Sequence, residues 1–190
     1  MRTRFLALCT AFLVTSLVVG CAGPSGDTAD ARRQSVQSMR QDTLTKLYQI
    51  RPDARAAIQN AEGYAVFSTV GVNVVFFAYA DGWGVVRDNK SGKDAYMKMA
   101  SGGVGPGLGI KDFRAVFVFN TRQAFDDFVT HGWDATASAD AAAKSSTKGA
   151  AASAAGTIGT AVDIYQITEA GIAAQATISG TRYWRDDELG

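Results

Sequence analysis

Few side chains in this sequence are equipped for covalent or acid–base chemistry. His131 is the only histidine, and neither a cysteine nucleophile nor a G-x-S-x-G turn accompanies it. At the end of a helical stretch, its expected role is interaction with the helix dipole. The acidic neighbours Asp126-Asp127 and Asp186-Asp187-Glu188 read as solvated charge rather than a metal or glycosidase site, because adjacent helix positions diverge and the second set lies near a terminus. In the glycine-rich run from Ser101 to Gly109, Gly105 and Gly107 lack the third glycine of a dinucleotide turn and the Lys-Ser or Lys-Thr of a P-loop, so no nucleotide site is expected. Gly103, Gly105, Gly107 and Gly109 alternate instead, which on a strand bares one face for close backbone approach or a sharp bend. One combination suits binding. Lys111 and Arg114 flank Asp112-Phe113 between two apolar stretches, so a turn there would set two cations around a ring, a pattern suited to an anionic head group at its acyl boundary. The plainer reading is a polar turn with Phe113 folded into the core.

The most reactive atom is the thiol of Cys21. Arg2 and Arg4 form a short basic start, Phe5 to Val19 is an apolar stretch broken only by Cys9, Thr10, Thr15 and Ser16, and this is signal-peptide length, short of the ~20 residues of a spanning helix. Val18-Val19-Gly20-Cys21 then resembles a bacterial lipobox. The expectation is a signal peptide over residues 1–20, acylation of Cys21, and attachment to a membrane through that lipid, since two or more acyl chains anchor firmly where one does not. Ala22 rather than Asp follows the cysteine, which favours the periplasmic face of the outer membrane. An ordinary secretory signal cleaved near Ala22 or Gly23 is the simpler alternative.

Composition narrows what the rest can do. Without Arg2 and Arg4, 17 of the 19 basic residues remain against 18 acidic ones, so no electrostatic grip on nucleic acid is expected. With Cys9 in the signal and Cys21 under lipid, neither of the two cysteines is left for a disulfide, and the fold must be held by its core. The length after the signal suits one domain.

The elements that must position any site follow from periodicity. Residues 21–30, small and polar around Pro24, read as a tether. A domain over 31–190 begins with a helical lead-in over 31–62. Val36, Met39, Leu44, Leu47 and Ile50 fall at helical spacing over Ala31–Ile50, and this basic amphipathic helix is expected to pack on the domain rather than lie on a membrane. Pro52 opens a second helix over Asp53–Ala61, and Gly63 stops it. Strand-like runs follow over Tyr64–Val70, Val72–Ala80, Trp83–Arg87, Tyr96–Ala100, Val104–Ile110 and Ala115–Asn120, with turns placed at Asp81-Gly82 and Asp88 to Gly92. Thr121 caps a helix ending at His131, with Gly132 as its stop. Residues 134–161 are of low complexity, either a long loop or tightly packed small-residue elements. Val162, Ile164 and Ile167, then Ile172, Ala174, Ala176 and Ile178, alternate around Glu169-Ala170-Gly171 as a hairpin.

From about Ala57 onward the chain resembles the SYLF or Ysc84-like domain family. The resemblance rests on Ala61-Glu62-Gly63-Tyr64-Ala65-Val66-Phe67, Asp81-Gly82-Trp83-Gly84-Val85-Val86, the glycine run from Ser101 to Gly109, Ala115-Val116-Phe117-Val118-Phe119-Asn120, and Ile164-Tyr165 leading to Glu169-Ala170-Gly171-Ile172 and Ile178-Ser179-Gly180. Departures occur at Ser68, where many members have proline, across Trp133–Thr147, and at Ala173-Ala174-Gln175. The resemblance implies binding to phosphoinositide membranes for eukaryotic members, actin binding for one yeast branch, and envelope lipoproteins for bacterial ones. The expected architecture is a single α+β domain, an antiparallel sheet curled into a partial barrel or sandwich with flanking helices. The expected function is non-catalytic: binding phospholipid or another apolar envelope component, with no cofactor, no metal and no nucleic acid. The alternative is a structural or protein-interaction lipoprotein that supports envelope integrity. Trp83, Phe77 and Tyr79 mark where the two diverge, since aromatics there mean either a central buried strand or a partly exposed apolar surface.

Overall fold

The computed structural model describes residues 23–74, 77–104, 113–134, 155–158, 161–168, 171–172 and 181–190. Two helices lead. Helix α1 (Ala29–Ile50) starts two residues before the expected boundary, inside the tether, because the Thr28 hydroxyl accepts a hydrogen bond from the Ala31 N–H (3.2 Å) and so satisfies a free donor of the first turn. Helix α2 (Asp53–Asn60) begins behind Pro52.

Strands β1 (Gly63–Val74), β2 (Phe77–Asp88), β3 (Asp94–Val104) and β4 (Arg114–Phe119) follow, then helix α3 (Arg122–His131). The chain ends with β5 (Trp133–Asp134), β6 (Ala155–Ile158), β7 (Val162–Thr168), β8 (Gly171–Ile172) and β9 (Thr181–Arg185). Among the described residues all join one nine-stranded sheet in the order β5-β9-β3-β2-β1-β4-β7-β6, with β8 also on β7, and every pairing there is antiparallel. The molecule is a single α+β domain with its sheet curled into a partial barrel.

The sheet is covered on both faces, and the period-two alternation of its strands sorts side chains between them. One face gathers Val66, Val85, Val116, Val118, Tyr165 and Ile167 under Val36, Met39 and Leu47 of α1 and Ala54 and Ile58 of α2. The other gathers Phe67, Met97, Met99, Phe117, Phe119, Ile164 and Tyr183 against Phe125 and Phe128 of α3. Double coverage explains why β4 is an unbroken apolar run, buried from Ala115 to Phe119, instead of an alternating one. The amphipathic α1 packs on the domain, as its pattern predicts.

Several expectations are revised. Asp81-Gly82 is not a turn but the middle of β2, pairing with Val70 and Thr69. Its glycine serves packing, because a methyl group on Gly82 would meet the Met99 side chain and the Ser68 carbonyl. One on Gly84 would run into the carbonyl oxygen of Val66 and the Phe67 ring. Close backbone approach is therefore enforced here among the described residues, whereas Gly102 has open space beside it. Gly105, Gly107 and Gly109 lie outside the described residues. The turn after Asp88 forms as expected, with the Asp88 carboxylate accepting from the N–H groups of Lys90 (2.8 Å) and Ser91 (3.1 Å). The hairpin around residues 169–170 pairs Ile167 with Ile172 and Thr168 with Gly171. Strand β9, which lacks a clean period-two pattern, fills the place beside β3.

Candidate functional site

The two faces are not closed to the same extent. On the α1 face, exposure rises along β1 and β2 away from the helices. Val66 and Val85 are fully buried, Ser68, Trp83 and Asp81 are partly buried, and Val70 and Tyr79 are 49% and 50% exposed. On the α3 face at the same level, Thr69, Ala80 and Ser101 are buried. The exposed end is thus one-sided, an apolar sheet surface that α1 does not reach. The register pairs Val72 with Tyr79 and Val70 with Asp81. The Tyr79 hydroxyl donates to the Asp81 carboxylate at 2.6 Å. That hydrogen bond, with the neighbouring negative charge and partial burial, pushes the phenol pKa up, so it stays neutral. From Gly63 to Ala80 no residue carries charge, and the half-exposed valine and tyrosine form a small apolar patch with a polar tip, bordered on the same face by the Asp81 carboxylate opposite Val70.

The residues singled out by sequence are placed differently. Cys21 and Lys111 lie outside the described residues. Phe113 is half-buried among the rings of the α3 face. Its backbone is tied to Thr69, whose N–H (3.0 Å) and hydroxyl (2.8 Å) both donate to the Phe113 carbonyl. Arg114 reaches to the opposite face, where its guanidinium donates to the Thr43 hydroxyl (3.1 Å), and that hydroxyl donates to the Met39 carbonyl (2.7 Å). Phe113 and Arg114 therefore do not share a surface. As successive residues at the head of β4 they point to opposite sides of the sheet, the outcome its pleat dictates.

Nor is Asp186 solvated charge. It is 3% exposed, within 3.3 Å of the Lys98 ammonium, and its carboxylate accepts from the Glu188 N–H (3.0 Å). This closes the C-terminal turn beneath α1, where the Arg33 guanidinium donates to the Leu189 carbonyl (2.9 Å). His131 is exposed in the last turn of α3. Among the described residues, no group of three or more His, Cys, Asp or Glu side chains is placed to hold a metal ion, and no helix is long and apolar enough to cross a membrane.

An apolar recess of about 210 Å³ lies beside α3, lined by Phe119, Phe128, Trp133 and Val162. It is smaller than the roughly 300–1,000 Å³ that encloses a drug-sized ligand. At the open end of β1 and β2, Val70 and Tyr79 are the most exposed large hydrophobic side chains among the described residues. The signal for that patch was present in the sequence as the charge-free run, but which of its residues remain uncovered depends on where α1 ends on the sheet.

Fold and surface together define an α+β protein with a helix-covered antiparallel sheet and an uncovered apolar end. No family model matches the chain. It is similar to Beta cell expansion factor A of Aeromonas veronii, with 35% identity over 162 residues that make up 85% of this chain and 60% of that protein. The chain thus spans about three fifths of the length of the relative it matches.

Proposed function

We propose that this chain is an envelope lipoprotein of the SYLF or Ysc84-like family, held through lipid on Cys21 at the periplasmic face of the outer membrane. In this reading its non-catalytic domain binds bilayer lipid. The observation that carries the proposal is the one-sided exposure of Val70 and Tyr79 at the end of β1 and β2, bordered by Asp81. Bilayer lipid fits such a surface because apolar side chains gain on leaving water, about 25 cal/mol per Å², while a tyrosine hydroxyl remains at the polar boundary. The similarity to Beta cell expansion factor A is compatible with the reading, although its name speaks of cell expansion and of no lipid.

The test is sedimentation with phospholipid vesicles, using protein produced without residues 1–21 so that the attached lipid does not contribute. The parent is expected to bind, and Val70→Asp with Tyr79→Asp to abolish binding while the circular dichroism spectrum stays unchanged. Equal binding by parent and double variant would remove this surface from consideration. Absence of binding by the parent would favour a protein-interaction lipoprotein instead.

A further inference from the structure

The recess beside α3 carries one charge in an otherwise apolar lining. Asp127 borders it together with the rings of Phe119, Phe128 and Trp133, and is the only ionisable side chain among the described residues that line it. Asp127 is exposed at the rim, and its carboxylate has no ion-pair or hydrogen-bond partner among the described residues. Its neighbour Asp126 is instead held by Arg122 at 2.7 Å.

Local structure sets these groups around one volume. Helix α3 supplies Asp127 and Phe128 as successive residues, and Gly132 then turns the chain at φ +71°, where a side chain would strike the Tyr183 carbonyl. Trp133 follows at once on β5, paired with Tyr183. The Phe128 and Trp133 rings stand with centroids 6.4 Å apart and planes at 73°, so rings of two orientations bound the recess. The face of an aromatic ring is negative and attracts a cation, tryptophan most strongly. Gly132, also in the lining, marks the C-terminus of α3, the negative end of the helix dipole. Rings, dipole and carboxylate thus all favour positive charge in a space of about 210 Å³.

The apolar walls select among cations. A metal ion needs several oxygen ligands, and one carboxylate does not supply them. A primary ammonium brings three N–H donors, most of which would be left without an acceptor against rings and aliphatic side chains. A quaternary ammonium has no N–H and spreads its charge over methyl groups, so it satisfies the carboxylate and the rings together. A neutral hydrocarbon of the same shape leaves the negative potential unanswered, and an anion is repelled by it. We infer that the α3 recess binds a quaternary ammonium group, such as the trimethylammonium head of a choline compound. The site lies on the opposite face of the sheet from Val70 and Tyr79 and does not depend on the lipid-binding reading.

Titration calorimetry of the chain without residues 1–21 tests this with choline as the probe. The controls are its neutral carbon analogue dimethylbutanol and the primary ammonium ethanolamine. Choline is expected to bind, more weakly as salt rises, and both controls to bind about tenfold more weakly or not at all. Asp127→Asn is expected to weaken choline binding about tenfold, the loss of one nearby charge, with an unchanged melting temperature because Asp127 is exposed and unpaired. Trp133→Leu keeps an apolar wall but removes the indole, and should weaken binding about fivefold. Vesicles distinguish the source of the ammonium. A preference for phosphatidylcholine over phosphatidylglycerol that Asp127→Asn removes assigns a membrane head group, and choline binding without such a preference assigns a soluble compound. Val70→Asp with Tyr79→Asp should leave choline binding intact, which separates this site from the apolar surface. The inference is overturned if choline does not bind, if Asp127→Asn binds it equally, or if dimethylbutanol or ethanolamine binds as tightly.

Discussion

The two faces of the sheet solve the same problem with different materials. On the α3 side a cluster of rings closes over the strands. Phe67 and Phe117 pack edge-on with centroids 5.8 Å apart, Tyr183 sits 4.8 Å from Phe67 and 5.3 Å from Phe117, and Phe128 of α3 lies 5.0 Å from Phe119. On the α1 side the contacts are mostly aliphatic, a longer helix crosses the sheet, and polar groups mark its course: Thr43 with Arg114, Gln37 with Tyr96, Arg40 with Asp94. Rings bury large areas with few residues, so a ten-residue helix suffices on the first face. A 22-residue helix on the second still leaves Val70 and Tyr79 exposed at one end. The α3 face is closed by rings, and the most exposed large apolar side chains among the described residues, Val70 and Tyr79, lie on the α1 face.

The strongest way to break that contrast is to empty the ring cluster. Phe117 is fully buried and touches Phe67, Phe128, Trp133 and Tyr183. Phe117→Ala should cost about 3–5 kcal/mol, the lost transfer energy plus an unfilled cavity. Denaturant unfolding followed by circular dichroism measures it directly. A cost below about 1 kcal/mol would show that this face is loosely packed and that the contrast with the α1 face is wrong.

A smaller effect is expected where α3 is tethered to the sheet by charge. The Asp88 carboxylate pairs with Arg122 at 3.0 Å and accepts two backbone N–H bonds from its own turn. Burial alone would raise its pKa, but the guanidinium and these N–H groups outweigh burial and hold the carboxyl well below its ordinary range. A depressed folded-state pKa contributes stability that is fully present above the unfolded value near 4 and is lost as pH falls through the folded value. Melting temperatures measured from pH 7 downward should therefore fall below about pH 4, and Asp88→Asn should flatten part of that decline. An identical acid profile in the variant would assign the decline to other carboxylates.

Much of this architecture was legible because the responsible forces are local. Thr121 announces a helix start by its hydroxyl, and Gly132 ends α3 at φ +71°, a conformation that favours glycine, whereas the Thr28 cap lay hidden in a stretch that reads as tether. Strand identity over Ala115–Phe119 follows from composition. Asp81-Gly82 misleads because the same two residues that make a turn also make a gap, and only the neighbouring Met99 and the Ser68 carbonyl tell which is needed. The candidate site was harder. Phe113 and Arg114 are adjacent in sequence, yet the pleat sends them to opposite faces. Gln37 and Arg40 meet Asp94 only through the packing of α1 on the sheet. No spacing rule along the chain contains that packing. Cys21 depends on a local motif alone, which is why it could be singled out without any fold.

The smallest expected effect is also the sharpest test of one-sided coverage, because it compares two valines on one strand and one face. Val66 is fully buried beneath α1, and Val70, four positions on, is 49% exposed. Threonine keeps the β-branched shape and volume that a strand favours, so the exchange isolates the hydroxyl. At Val66 that hydroxyl enters an apolar environment with valine, isoleucine and leucine neighbours and should cost about 1–3 kcal/mol. At Val70 it can meet water, and Val70→Thr should change stability by no more than about 0.5 kcal/mol. Side-by-side urea unfolding of the two variants reads the difference. Equal costs would mean that the end of β1 is covered in solution, and the proposed lipid-binding surface would then be unavailable.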